Sequence, residues 1–323
     1  MKENKIVLMF PGQGSQYIGM GLSYKTANSN YNKYFNLASK LLNENLLDIV
    51  ENSSDVNKLE NTLYSQVSIY TLSAVIFDYL LNEKILNKND IFSVIGHSLG
   101  DYSALYACGY YDFKDGLELV KYRGSIMSDA NEKMNGMMAA VIGVEYDYLN
   151  DLLEKFKEKN KEEVYIANYN EYNQIVISGL SSDVQKATQF LKENDVKKII
   201  PLKVKIASHT PLMKDVSSNL EQYLNNVLFK EPNFKFFSSI SLTYPKIEEI
   251  KVNLKNQLLN QVNWVKSIEH FLNEEVNVFI EIGPGKVLSN LTKKIADKNQ
   301  KEVQIFNSDN IENLINIKNY LNS

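Results

Sequence analysis

One cysteine, one tryptophan, three histidines and six prolines in 323 residues leave little room for several kinds of chemistry. The lone thiol, Cys108, excludes an internal disulfide and any cysteine-cluster metal site, and its apolar neighbours predict a buried side chain. No metal site is expected. No apolar run reaches the length of a membrane span, and Met1-Lys2-Glu3-Asn4-Lys5 lacks the pattern of a signal peptide. The expectation is a soluble, cytoplasmic protein without membrane contact. A formal charge of −4 argues against nucleic acid as a partner. Low-complexity linkers and internal repeats are missing as well. What remains is ordinary for a globular chain, 44% hydrophobic and 23% charged, and long enough for one large domain carrying an insertion.

Against that background one segment stands out. Gly96-His97-Ser98-Leu99-Gly100 follows the apolar run Ile91–Ile95 and opens a helix-like stretch from Tyr102 to Ala107. A G-x-S-x-G between strand and helix is the pattern of a nucleophile elbow: the glycines permit a turn sharp enough to project a serine hydroxyl over a helix N-terminus. Ser98 is therefore the candidate nucleophile, and an acyl-serine the candidate intermediate.

The elements around it set the fold class. Ile6–Phe10 reads as a buried strand, Tyr64–Leu81 as a helix, and Asp112 as the N-cap of a helix through Leu117, Val120 and Met127. Alternating strand and helix predict a parallel sheet. From about Gly136 the order becomes strand 137–144, helix 148–157, strands 164–168 and 174–178, a helix capped by Ser181-Ser182-Asp183, and strand 198–204. This β-α-β-β-α-β order is that of a ferredoxin-like unit. A helix over 210–224 and strands over 234–240 and 276–282 return to the first rhythm. The reading is α/β: a large α/β-hydrolase-like domain (1–131 and 205–323) with a ferredoxin-like subdomain (132–204) inserted.

A serine nucleophile needs a base. His97 adjoins the serine and points elsewhere, and His270 reads as a solvated histidine on a helix face. His209, at the junction where the insertion hands back to the main domain, is the base by elimination. Asp215 and Glu281 are the acids weighed as a third member; neither stands out, and a Ser–His dyad is favoured because a carbonyl or amide can hold the imidazole tautomer.

Taken together, Phe10–Gln16, Gly96–Gly100, Arg123 in Tyr122-Arg123-Gly124, Ser208-His209, Gln257-Leu258 before Val262-Asn263-Trp264, and Gly283-Pro284-Gly285 resemble the malonyl-CoA:acyl carrier protein transacylases, including the acyltransferases of fatty-acid and polyketide synthases. The motifs stand in register from residue 6 to about residue 296. The resemblance implies Ser98 as acylated nucleophile, His209 as base and Gln257 as the residue orienting it. It implies the N–H groups of Gln13 and Leu99 as oxyanion hole. Arg123 would pair with a substrate carboxylate, whose planar geometry its fork matches. His97, Asn168, Asn170 and Ser208 are candidate pocket residues. The implied partners are malonyl-CoA and a phosphopantetheinylated acyl carrier protein, with coenzyme A thioester as substrate and no bound cofactor.

Three positions depart from the family pattern: Asp101 stands for Glu, Gln261 for Pro and Asn263 for Arg. Gln261 is expected to loosen the approach to Trp264. Leu99 leans to malonyl, whereas Ser208 leaves methylmalonyl open. The competing readings are an acyl hydrolase clearing stalled carrier proteins, which Arg123 disfavours, and a non-catalytic docking subunit. Lys197, Lys198, Lys203 and Lys205 form a basic stretch leading to His209, either a docking patch or a solvated edge.

Overall fold

The computed structural model describes residues 4–52 and 56–323. Among the described residues ten strands run in chain order: β1 Ile6–Phe10, β2 Ile91–Gly96, β3 Gly136–Ile142, β4 Val164–Glu171, β5 Gln174–Leu180, β6 Lys198–Pro201, β7 Phe236–Phe237, β8 Val262–Asn263, β9 Val278–Glu281 and β10 Gln304–Asn307. They form two sheets, one ordered β10-β9-β1-β2-β7 and the other β6-β3-β5-β4-β8. Every pairing in the first sheet is parallel. The molecule is thus the α/β protein with a parallel sheet that the strand–helix alternation predicts.

The central strand β1 is buried at all five positions, as a strand covered on both faces must be. Ile6, Leu8 and Phe10 pack into the core under the helices of the first half of the chain. Val7 and Met9 face the other way, into a core that also holds Ala139 and Val141 of β3 and Ile175 and Ile177 of β5. The second sheet therefore shares its packing with the first.

Within that second sheet, β3 to β6 keep the order and antiparallel pairing of the ferredoxin-like arrangement. Its outer edge is completed from far along the chain: β8 pairs in parallel with β4, Asn168 opposite Val262 and Tyr169 opposite Asn263.

Several elements differ from expectation. The strand expected over 234–240 is ordered as β-structure only at Phe236–Phe237, because the chain turns back at Ser238 and bridges to Thr243. The strand over 198–204 ends at Pro201. The segment over 210–224 is a short 3-10 turn at Pro211–Met213 followed by the helix Lys214–Leu224. The helix Ser181–Glu193 starts from Leu180 with no side-chain cap, so the Ser181-Ser182-Asp183 cap is not formed. Asp112, by contrast, caps Phe113–Met134 by accepting from the Asp115 N–H. Cys108 is buried as expected.

Candidate active site

The elbow is built by close backbone approach. A Cβ on Gly100 would lie 1.9 Å from the Phe10 carbonyl oxygen, and one on Gly96 would lie 2.0 Å from the Asp101 nitrogen. Only glycine lets the helix Gly100–Cys108 seat against β1 and β2 with the turn between them. Ser98 itself is held at φ 53°, the left-handed region, which lifts its side chain out of the strand-to-helix turn.

His209 reaches the same point from the segment after β6, also with positive φ, at 62°. Its Nε2 lies 2.9 Å from Ser98 Oγ, and its Nδ1 lies 2.8 Å from the backbone oxygen of Gln257. The carbonyl can only accept, so Nδ1 carries the proton and Nε2 offers a lone pair to the serine hydroxyl. Burial pushes the imidazole down to about 3; the Gln257 carbonyl opposes this and the nearby Arg123 charge adds to it. A neutral imidazole at rest is the state a base requires.

Gln257 ends the helix Ile250–Gln257 and is fully buried. Its main chain holds the histidine while its side chain does something else. Nε2 donates to the Ser98 backbone oxygen at 2.8 Å and to a carboxylate oxygen of Asp101, and Oε1 accepts from Arg123 at 3.3 Å. Asp101 is buried too, and loss of water pushes its carboxyl up to about 8, with the Gln257 hydrogen bond and Arg123 pulling the other way.

Arg123 is the only arginine in the chain, and it is 1% exposed. Its guanidinium lies over the Tyr102 ring, 5.2 Å from the centroid, and donates to Gln66 Oε1 at 2.6 Å and to Ser98 Oγ at 3.3 Å. Nε has no hydrogen-bond partner among the described residues. No carboxylate forms a salt bridge with it among the described residues, although Asp101 lies near enough to interact through space; its hydrogen bonds go to neutral amides and a hydroxyl. Burial weakens its hold on the proton. Such a group is expensive to keep unless an anion comes to it.

Several backbone N–H groups around Ser98 are already committed. Gly14 and Ser15 spend theirs on Gln16 Oε1 and the Gly12 carbonyl, and Gly100 and Asp101 spend theirs on His97 and Ser98 carbonyls. Among the described residues no backbone carbonyl accepts from Gln13 or Leu99. Both residues line a cavity of about 700 Å³ that also contains Ser98, His209, Arg123, His97, Asn168, Asn170 and Ser208. The expected site residues other than Gln257, which stands behind them, thus meet in one hollow.

On the subdomain side, Asn170 Oδ1 accepts from His97 Nε2 at 2.8 Å, and burial holds His97 below its usual value. This bond ties the elbow to β4. The two acids weighed as a triad member lie elsewhere: Asp215 is exposed, and Glu281 accepts from the N–H groups of Leu288 and Ser289 at a helix start. His270 is half-buried rather than fully solvated, stacking on Phe237 at 4.5 Å and touching Tyr244. Gln261 is hydrogen-bonded on both sides, accepting from Tyr146 at 2.9 Å and donating to Asn263 at 2.7 Å. Gln66 was not anticipated, although a glutamine inside the apolar helix Thr62–Asn82 is a signal of a buried polar partner.

The acyl transferase domain family matches residues 7–310. The chain belongs to the acyl transferase family. Its acyl transferase relatives include the malonyl CoA-acyl carrier protein transacylase of Bacillus subtilis, 34% identical with 96% of each chain covered. The protein of that name from Haemophilus influenzae is 32% identical, covering 90% of this chain and 92% of its own. Among solved acyl transferases, a malonyl-transacylase in complex with its type II polyketide-synthase acyl-carrier protein superposes with a TM-score of 0.91 at 29% identity, covering 98% of this chain and 100% of its own. The enzyme from Streptococcus pneumoniae gives 0.87 at 32% identity, with 98% and 100% covered.

Proposed function

We propose that this chain moves a malonyl group from coenzyme A to the phosphopantetheine thiol of an acyl carrier protein, in fatty-acid or polyketide synthesis, by way of O-malonyl-Ser98. The observation that carries the reading is the single arginine, buried, in no salt bridge among the described residues, and 3.3 Å from Ser98 Oγ. A malonyl group supplies the missing anion when its thioester carbon stands at the serine. The relatives' names agree with that chemistry.

In the first half-reaction Ser98 Oγ attacks the thioester carbonyl while its proton passes to His209 Nε2. Negative charge on the carbonyl oxygen falls to the Gln13 and Leu99 N–H groups, which donate to no backbone carbonyl among the described residues. Collapse breaks the carbon–sulfur bond, and His209 returns the proton to the departing coenzyme A thiolate. In the second half His209 takes the proton of the carrier thiol, whose sulfur attacks the acyl-serine and frees Oγ, to which the proton returns. The Gln257 carbonyl keeps the imidazole in the required tautomer and is well placed to stabilise the imidazolium. Coenzyme A thus enters as a thioester substrate. His97, Asn168, Asn170 and Ser208 shape the acyl pocket.

A hydrolase acting on uncharged acyl groups gains nothing from a buried guanidinium. Among the described residues no helix is long and apolar enough to cross a membrane, which fits work in the cytoplasm. The experiment is incubation with malonyl-CoA, following acyl-enzyme mass, transfer to holo carrier protein, and free malonate. Adduct and transfer without malonate release is the expected result. Malonate release without transfer would refute the reading in favour of hydrolysis. Methylmalonyl-CoA in the same assay fixes the extender choice that Ser208 leaves open.

A further inference from the structure

Among the described residues, the charged ones lining the cavity are Arg123, Glu60 and Lys203, and they differ sharply in exposure. Arg123 is sealed in, whereas the Lys203 side chain is 81% exposed and pairs with Glu60 at 2.7 Å. Glu60 ends the helix Val56–Glu60, and Lys203 lies just past β6, so the pair spans the entrance from one part of the chain to the other. An ion pair this exposed contributes little to stability, since solvent and salt screen it. Around it the entrance is apolar: Tyr17, Leu202 and Val287 line the cavity and are each more than a third exposed.

We infer that Lys203 is a phosphate-binding residue, taking the phosphate that ends the pantetheine arm, with Glu60 as the carboxylate that this phosphate displaces. The inference rests on the proposed thioester substrate. That substrate is anionic at both ends, with a malonyl carboxylate at one and a phosphate at the far end of an uncharged arm. The cavity offers a matching sequence of a buried cation, an apolar entrance and an exposed cation. In a chain of net charge −4, a phosphate approaching the entrance needs a local cation. Lysine suits the task, being a mobile point charge with three donors. Glu60 holds the ammonium in place until exchange of one anion for another, which costs little because both states are solvated. The same phosphate is present on coenzyme A and on the carrier protein's prosthetic group, so Lys203 serves both half-reactions.

The test compares acylation by malonyl-CoA, malonyl-phosphopantetheine and malonyl-pantetheine, which lacks phosphate, in the wild type, Lys203→Gln, Lys203→Glu and Glu60→Gln. Lys203→Glu is expected to raise KM for both phosphate-bearing donors by about five-fold at low salt, the scale of one exposed charge contact, with kcat unmoved. Lys203→Gln should do so by less, and Glu60→Gln should lower the same KM values. Malonyl-pantetheine should be handled alike by all four proteins. A shift with malonyl-CoA alone would assign the contact to the nucleotide phosphates and overturn the shared role. Equal shifts on malonyl-pantetheine would make the pair a brace for the entrance, and no shift on any donor would leave Lys203 without a phosphate to bind. If the wild type is acylated by none of the three, it is the proposed function that fails.

Discussion

Replacing Arg123 with alanine tests the reading at its centre. The guanidinium is buried and held by Gln66, Gln257 and the Tyr102 ring, so its position does not depend on substrate. Breaking a buried charge pair by removing one partner costs about 3–5 kcal/mol, and each 1.4 kcal/mol is tenfold. For malonyl-CoA the loss in kcat/KM is therefore expected at about 10²- to 4 × 10³-fold. Acetyl-CoA has no carboxylate and escapes that loss. Two effects act on both substrates alike. Gln66 and Gln257 lose a donor, at about 1–3 kcal/mol of stability each. His209 loses a neighbouring charge that depresses its basicity, which favours acylation. The ratio of the two kcat/KM values cancels both. Thermal melts should first establish that the variant folds, and stopped-flow acylation with each thioester then gives the ratio. A drop of equal size for malonyl-CoA and acetyl-CoA would refute the argument and leave Arg123 a structural residue.

Other outcomes follow from the same geometry. Ser98→Ala should form no covalent malonyl adduct by intact-protein mass spectrometry; an adduct in the variant would move the nucleophile elsewhere. His209→Ala should slow acylation by about 10²- to 10⁴-fold, the usual worth of a general base. With the imidazole held near 3 rather than its ordinary 6.5, kcat/KM should stay flat from about pH 5 to 8, and a midpoint near 6.5 would contradict the buried neutral state. The same displacement bears on stability: the unfolded chain takes up a proton below 6.5 that the folded chain refuses, so His209's contribution is whole above that value and declines as pH falls toward 3. Chemical denaturation at pH 7 and pH 5 checks that sign. Gly100→Ala, placing a methyl 1.9 Å from the Phe10 carbonyl oxygen, should lower stability by about 3 kcal/mol or more or prevent folding, as judged by urea titration.

The parts of the site that the sequence makes legible are those whose signal is local. The elbow announces itself because the glycines, the serine and the flanking strand and helix are contiguous. His209 is reachable because the chain has so few histidines. What orients it is harder to read: the acceptor is the Gln257 main-chain oxygen, an atom every residue possesses. Only the family resemblance led to position 257, and it did not foretell that the side chain would be occupied with Asp101, Ser98 and Arg123. The same limit applies to the fold. The ferredoxin-like run is visible in alternating periods, but the two-residue strand β8 carries no period and is defined by its partner. The edge strand β10 was not foreseen, lying half-exposed between two helices.

That edge pairing has a practical consequence for exchanging specificity between enzymes of this kind. We propose the host and insertion boundaries at 1–131 with 205–323 and at 132–204, which invites cutting at those joints and grafting another insertion. Yet Asn168, a pocket residue, sits in register with Val262, which the graft would leave behind. A transplanted insertion would meet a foreign edge at the one strand that carries its pocket asparagines. Chimeras should therefore carry residues 262–263 along with the insertion, as a second, distant splice.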